Sequence, residues 1–283
     1  MMKYTKTIIL LLWITGPVSL KALAGNRCVK DSVWPVVVTR DIQYGEAVHY
    51  QKPLALLLDV YQSSVKSSLK RPVIIFVHGG GFSYGDKEQD LYVKMATAFA
   101  KRGYVSFSVN YRLKDPKKPY VSKVLDDAMA DVMMALRWVK DHRKEYNIDT
   151  AKIIICGDSA GGAIAVNTSY DHALEHVFIA CIDLWGGMCD PKDPEFLHVP
   201  PWDQPIYPSD IQPGTPPTCI IHGTSDTVVP YSTSEALSHK LAKAKIYHEL
   251  HPLKGANHYP EKRADEFIPL MLSFANSVLS VDL

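Results

Sequence analysis

The feature that most constrains the fold is an alternation of short apolar runs with longer amphipathic stretches, which begins near residue 54. The runs are rich in β-branched residues and apolar on both faces, as expected for strands buried in a parallel sheet. They lie at 73–77, 105–109, 152–156, 177–182 and 219–221. Helical periodicity marks the stretches at 90–102, 121–144, 161–175, 231–244 and 263–280. Such alternation predicts βαβ units with right-handed crossovers.

The expected architecture is therefore an α/β fold with a mostly parallel central sheet and helices on both faces. Residues 36–42 and 54–60 are predicted to form an antiparallel hairpin at the first edge of this sheet. A last short strand is expected near 246–250, before the final helix.

The first 24 residues have the features of a secretory signal peptide. Lys3 and Lys6 supply positive charge, residues 8–14 are apolar, and small residues at 22–24 suit a cleavage site. The apolar run is shorter than the roughly 20 residues that a membrane span needs. The sequence predicts a single domain over 25–283 that is secreted or periplasmic and has no membrane span; a retained membrane anchor is the alternative.

Charge and cysteine content exclude several classes of function. The chain has 31 Lys and Arg against 30 Asp and Glu, so nothing indicates a basic nucleic-acid surface. No cysteine or histidine cluster has zinc-ligand spacing, so no metal site is predicted. Cys156, Cys181 and Cys219 lie in apolar runs and are expected to be buried thiols, whereas Cys28 and Cys189 lie in irregular segments and could pair.

Residues 186–217 break the alternation and hold nine of the 19 prolines. Proline removes a backbone donor and fixes φ, so this segment is expected to form a short Pro-rich cap loop. Its aromatic residues Phe196, Trp202 and Tyr207 either wall a substrate pocket or pack the loop against the domain.

Residues 157–161 read GDSAG, directly after one apolar run and before a helical pattern. This is the context of a nucleophile elbow, in which a serine on a sharp strand-to-helix turn stands clear of the backbone. The helix N-terminus that follows can stabilise negative charge. Ser159 is the predicted nucleophile, and Asp158 is expected to anchor the elbow; the alternative is a glycine-rich turn that contains a serine by chance.

A second glycine-rich segment, HGGGF at 78–82, follows the run at 73–77. Consecutive glycines let backbone amides turn toward a ligand, and loops of this type form half of an oxyanion hole. The amides of Gly80, Gly81 and Ala160 are the candidates. A phosphate-binding loop is disfavoured, because the chain has neither GxGxxG nor a Walker lysine there.

A serine nucleophile needs a histidine base and an acid that orients it, here in the chain order serine, acid, histidine. Asp226 lies just after the run at 219–221, and His258 lies in the loop before the final helix. Because the carboxyl ends of parallel strands meet at one edge, Ser159, Asp226 and His258 are predicted to form a catalytic triad. The rivals are His222, His248 and His251 for the base, with His222 expected to be structural, and Asp183 for the acid.

The motifs at 78–82 and 157–162, together with NYRL at 110–113, resemble the α/β-hydrolase superfamily and its carboxylesterases related to hormone-sensitive lipase. The acid segment HGTSDTVVP at 222–230 and LDVY at 58–61 are more similar to the feruloyl and acetyl esterase-like (BD-FAE-type) proteins and to prolyl-oligopeptidase-like hydrolases. This resemblance implies two-step acyl transfer through an acyl-serine, without metal or cofactor.

The expected function is hydrolysis of carboxylic esters with short or aromatic acyl groups, on a small-molecule or carbohydrate-linked substrate. Phe82, Tyr84 and Trp202 are candidates for the substrate pocket. A peptidase or amidase on the same fold, and a binding protein that kept the fold without catalysis, are the alternatives.

Overall fold

The computed structural model describes residues 33–114, 123–171, 177–186 and 211–280. Within these ranges the strands are β1 Val36–His49, β2 Lys52–Ser63, β3 Arg71–Val77, β4 Val105–Val109, β5 Ile148–Asp158, β6 Ala180–Leu184, β7 Thr218–Gly223 and β8 His248–Leu253. The α-helices are α1 Asp90–Ala100, α2 Lys123–Asp141, α3 Ala160–Tyr170, α4 Tyr231–Lys243 and α5 Ala264–Ser280.

The strands form one sheet in the order β1-β2-β4-β3-β5-β6-β7-β8. The hairpin β1–β2 and the pair β2–β4 are antiparallel, and the remaining neighbours are parallel. The predicted mostly parallel sheet is confirmed. β1 and β2 are longer than expected, because their outer halves alternate exposed and partly buried residues and so lack a continuous apolar run.

The sheet separates two apolar core layers. Along β3, the side chains of Val73, Ile75 and Val77 pack with α2, α3 and α4, whereas Ile74 and Phe76 pack with α1 and α5. All residues of β3 are buried. A strand that is apolar on both faces is thus explained by helices on both faces, as predicted.

β6 occupies a slightly different range from its prediction of 177–182. Its register with β5 pairs Ile154 with Ala180 and Asp158 with Leu184. β6 therefore ends opposite the last residue of β5. It includes the polar Asp183, whereas the apolar run in the sequence stops just before this residue.

Cys156, Cys181 and Cys219 are free and buried, as expected for cysteines in buried strands. Cys28 and Cys189 lie outside the described residues, as do the predicted signal peptide at 1–24 and most of the segment 186–217. No helix in the described ranges combines the length and apolar character that crossing a bilayer requires.

Candidate active site

Ser159 occupies a one-residue turn between β5, which ends at Asp158, and α3, which begins at Ala160. Its backbone has φ 48° and ψ −120°, a conformation that non-glycine residues rarely adopt. The turn is tight: a Cβ at Gly157 would lie 2.1 Å from the carbonyl oxygen of Gly161, and one at Gly161 would lie 2.0 Å from that of Val77. The two glycines of GDSAG are therefore required by the close approach of backbone to backbone.

Three side chains from distant parts of the chain form one line of hydrogen bonds at the carboxyl edge of the sheet. Ser159 Oγ is 2.9 Å from His258 Nε2, and His258 Nδ1 is 2.6 Å from Asp226 Oδ2. Asp226 follows β7, and His258 follows β8. All three residues are buried. The structure thus brings together the three residues that the sequence selected as nucleophile, base and acid.

Asp226 is held by four donors. Oδ1 accepts the backbone amides of Val228 and Val229, at 2.8 and 2.9 Å. Oδ2 accepts His258 Nδ1 and also His222 Nε2, the latter at 3.0 Å. Burial acts to raise the pKa of this carboxyl, but the hydrogen bonds, above all those from His222 and His258, hold the pKa well below its usual range. An ionised Asp226 fixes the His258 tautomer with a proton on Nδ1, leaving Nε2 to accept the serine proton.

The glycine loop after β3 lies beside Ser159. Gly80 and Gly81 both have positive φ, at 111° and 57°, and the Gly80 carbonyl accepts the amides of Ser83 and Tyr84. Within the described residues, the amides of Gly80, Gly81 and Ala160 donate no hydrogen bond. These amides are therefore available to a ligand.

Asp158 connects this loop to the elbow. Its Oδ1 accepts the Gly79 amide at 2.7 Å and contacts the hydroxyl of Tyr92. Asp158 is buried, and burial raises its pKa. Since the carboxyl group points to the backbone of the loop, its geometry matches the predicted anchoring role.

The segment at 110–113, which follows β4, contacts the same glycine loop. Tyr111 donates its hydroxyl proton to the His78 carbonyl at 2.8 Å. Arg112 forms a bidentate ion pair with Asp131 and a longer contact, 3.3 Å, with Asp127. Asp127 and Asp131 lie about one helical turn apart on α2, so the single guanidinium contacts both carboxylates.

The pocket candidates differ in position. Phe82 is fully buried in the core layer that contains α2, α3 and α4. Tyr84 is 57% exposed, and its hydroxyl lies 3.5 Å from that of Tyr259, which is 51% exposed. Trp202 lies outside the described residues, as do Phe196 and Tyr207. Tyr259 is not among the pocket candidates from the sequence, although its position directly after His258 indicated that it would lie close to the site.

The rival residues have other partners. His248 and His251 lie within β8, and His251 contacts Glu249 at 2.8 Å. Asp183 is fully buried beneath the site and accepts the Gly186 amide at 3.0 Å. Burial raises the pKa of Asp183 to about 6. The carboxylate bonded to His258 is that of Asp226.

Among the residues that the structure describes, two groups of side chains outside this array have the composition of metal ligands. One comprises Cys219, Glu249 and His251, and the other comprises Asp41, Asp59 and Glu88. In the second group the ammonium of Lys87 lies 2.8–2.9 Å from all three carboxylates, so a protein cation already balances their charge. Neither group contains a residue of the Ser159–His258–Asp226 array.

Comparison with known sequences points to esterases. The sequence profile of the BD-FAE family matches residues 58–181, from β2 into β6. Carboxylesterase NlhH of Mycobacterium tuberculosis is 40% identical over 94 residues, which are 33% of this chain and 27% of NlhH. Esterase LipQ of the same organism is 26% identical over 235 residues, 73% of this chain and 53% of LipQ. The chain thus spans about a quarter of NlhH and about half of LipQ.

Solved structures match over most of the chain. Thermogutta terrifontis esterase 2, phosphonylated by cyclosarin, has a TM-score of 0.71 and 25% identity and covers 86% of this chain and 95% of its own. MGS-M1, an alpha/beta hydrolase enzyme from a Medee basin deep-sea metagenome library, has a TM-score of 0.69 and 21% identity, with 87% of this chain and 99% of its own covered. The chain therefore has the α/β-hydrolase fold and is similar to esterases of that fold.

Proposed function

We propose that this protein is a serine esterase that hydrolyses carboxylic esters through an acyl-serine intermediate. The observation that carries the proposal is the unbroken line of hydrogen bonds from Ser159 Oγ through His258 to Asp226. Near it, three backbone amides of the glycine loop and the elbow have no acceptor among the described residues. The likeness to named esterases supports it.

In the first half of the reaction, Ser159 Oγ attacks the ester carbonyl carbon while His258 Nε2 takes the hydroxyl proton. The bond to the alcohol oxygen then breaks, and the imidazolium returns the proton to the leaving alkoxide. In the second half, His258 takes a proton from the water that attacks the acyl carbonyl, the bond between the acyl group and Ser159 Oγ breaks, and the imidazolium returns the proton to Oγ as the acid leaves. Asp226 holds the imidazole in the correct tautomer and stabilises its protonated form.

The amides of Gly80, Gly81 and Ala160 would bind the oxyanion of each tetrahedral intermediate. A donor of this kind is worth roughly 3–4 kcal/mol of transition-state stabilisation. Ala160 is also the first residue of α3, so the positive end of the helix dipole reinforces its amide.

The proposed substrates are esters with short or aromatic acyl groups, on a small molecule or on a carbohydrate. Structures of Thermogutta terrifontis esterase 2 with propionate and with butyrate bound support the short acyl groups. The exposed rings of Tyr84 and Tyr259 beside the array support aromatic groups, because aromatic faces stack on one another. We further propose export of the chain under the signal at 1–24, leaving one catalytic domain over 25–283.

A series of nitrophenyl and feruloyl esters, assayed together with a fluorophosphonate label, tests this function. The wild-type protein is expected to hydrolyse the esters and to be labelled at Ser159, whereas Ser159→Ala should lose turnover and labelling. Turnover retained by Ser159→Ala contradicts the nucleophile assignment. Hydrolysis of aminoacyl-anilides in preference to esters would favour a peptidase, and absence of labelling would favour a binding protein.

A further inference from the structure

A second histidine, His222, lies directly behind the proposed catalytic acid. It is the penultimate residue of β7 and is fully buried. Its Nε2 is 3.0 Å from Asp226 Oδ2 and 3.0 Å from the carbonyl oxygen of Val229. Its Nδ1 is 2.7 Å from the hydroxyl of Ser234, on α4. The ring is thus fixed at both nitrogens.

The partners determine where the ring proton lies. An ionised carboxylate and a carbonyl can only accept, so Nε2 of His222 must carry a hydrogen and donate it. The Ser234 hydroxyl can then donate to Nδ1 of the neutral ring. As a result, one oxygen, Asp226 Oδ2, accepts an imidazole N–H from each of two histidines.

We propose that His222 is a positioning residue for the ester hydrolysis proposed above: acting through Asp226, it sets the orientation and the basicity of His258. This inference rests on that proposed function. A donor on Oδ2 that competes with His258 disperses the charge of the carboxylate, and so reduces the stabilisation of the His258 imidazolium. With the two amides on Oδ1, the same donor also prevents the carboxylate from rotating.

Several ionisable groups face His222, and a change at His222 alters the surroundings of each of them. Asp226 lies on the loop after β7, with His258 beyond it. Tyr231 and Ser234 approach from α4, the Tyr231 ring at 5.7 Å between centroids. Asp183 faces it from β6, and the interaction with His222 opposes the effect of burial on that carboxyl. A change in the pH profile can therefore be attributed to the His222 N–H donor only if two variants are compared that differ in this donor and in nothing else.

His222→Asn and His222→Gln form such a pair, because both keep a side-chain amide and differ in reach. The asparagine amide reaches only the position of Nδ1 and Ser234, whereas the glutamine amide reaches the position of Nε2 and can donate to Asp226. In His222→Asn, kcat is expected to fall about tenfold, as for other losses of a group that orients a functional residue. KM should stay unchanged, since His222 is buried behind the acid.

The acid limb of the kcat/KM profile, which reports protonation of the base in the free enzyme, is expected to move to higher pH in His222→Asn by about half a unit or more. His222→Gln should restore both kcat and the pH position of the acid limb to near their wild-type values. His251→Asn is the control, since His251 lies on β8 and bonds to Glu249; its profile should match the wild type.

Equal behaviour of the Asn and Gln variants, or a wild-type profile in a folded His222→Asn, overturns the inference. Should His222→Asn fail to fold in a circular-dichroism melt, Ser234→Ala gives the same test. That change removes the hydroxyl that holds Nδ1, so the ring and its Nε2–H donor are less firmly oriented toward Asp226. The acid limb should therefore move in the same direction by a smaller amount, and an unmoved limb refutes the role. Absence of ester turnover and of fluorophosphonate labelling in the wild type would instead contradict the proposed function.

Discussion

Asp226 accepts two hydrogen bonds on each carboxylate oxygen, so its orientation and its charge can be separated experimentally. Asp226→Asn keeps the shape of the side chain but replaces one oxygen by an amide that can oppose His258 Nδ1–H. The wrong imidazole tautomer is then favoured, and kcat for ester hydrolysis should fall by about 10⁴-fold. Steady-state kinetics on nitrophenyl acetate measures this loss. Asp183→Asn, which leaves the bond to His258 in place, should stay within about tenfold of the wild type; the reverse ranking would make Asp183 the acid.

The exposed ring of Tyr259 contacts His258, and the exposed ring of Tyr84 reaches Tyr259 through its hydroxyl. The contribution of these two tyrosines should depend on the acyl group. The hydrogen bond between them, followed by burial, raises the pKa of Tyr259 to about 12, so its hydroxyl is neutral at physiological pH. Replacing both by alanine should lower kcat/KM for a feruloyl ester about 5- to 10-fold more than for an acetyl ester, because one aromatic stacking contact is worth roughly 1 kcal/mol. Tyr247→Ala, at another exposed tyrosine, is the control. Equal losses of kcat/KM on the two esters would contradict a stacking role for these tyrosines.

At the level of elements, the junction of β5 and α3 tolerates no additional atom. A Cβ at Gly161 would meet the backbone oxygens of Val77 and His78, at 2.0 and 2.6 Å. Gly161→Ala should therefore force the helix away from β3, at a cost of about 1–3 kcal/mol in the free energy of unfolding and with most of the activity lost. Urea unfolding and esterase assays measure the two effects. Ser169→Ala, at the far end of α3, should change neither, and a fully active Gly161→Ala would show that the junction can relax.

The hairpin β1–β2 is joined to the turn before α1 by a buried ammonium. Lys87 contacts Asp59, which is fully buried on β2, and also Asp41 and Glu88. Lys87→Met should lower the free energy of unfolding by about 3 kcal/mol, because it leaves the Asp59 carboxylate buried with only part of its compensation, including Arg40. The double variant Lys87→Met/Asp59→Leu should recover much of that stability in urea unfolding. No recovery would mean that the lysine stabilises through packing alone.

The elements that the sequence predicted well are those whose partners lie on both faces. β3 and β4 are buried throughout, so their apolar runs coincide with the strands to within two residues. β1 and the start of β2 are largely exposed, so composition indicated only part of each strand. β6 was shifted because its end is fixed by pairing with β5, a tertiary property.

The same distinction holds for the site. Ser159 and Asp226 follow strands with strong apolar signals, and His258 lies between the weaker last strand and the final helix, so their common edge could be predicted. The bond between His222 and Asp226 and the approach of Tyr84 to Tyr259 depend on loop conformations that no local pattern specifies. Phe82 is a pocket candidate from the sequence, but its backbone has φ 57° and its side chain is buried in the core.

For the molecule as a whole, Asp183 predicts a pH dependence of stability. Burial raises its pKa to about 6 in the folded state, above the value of roughly 4 expected for an unfolded chain. The folded state therefore binds the extra proton between these values, and the contribution of Asp183 to stability falls as the pH rises through about 4 to 6. Asp183→Asn should become more stable relative to the wild type across that window, by on the order of 2–3 kcal/mol.

Urea unfolding of both proteins at intervals from pH 4 to pH 8 measures this difference. Asp226, with its lowered pKa, contributes the opposite slope, but it is present in both proteins and cancels. A difference that does not vary with pH would show that Asp183 is ionised throughout.

His258 lies 99 positions after Ser159 in the chain, and this separation has a kinetic consequence. The elbow is built from β5 and α3, which are adjacent along the chain, whereas His258 reaches it only after β7, β8 and the loop before α5 are in place. Contacts between such distant segments close slowly, because loop entropy is lost before they form. A refolding chain would therefore regain its helical circular-dichroism signal before it regains ester turnover. The delay between the two would measure how slowly the C-terminal strands join the sheet.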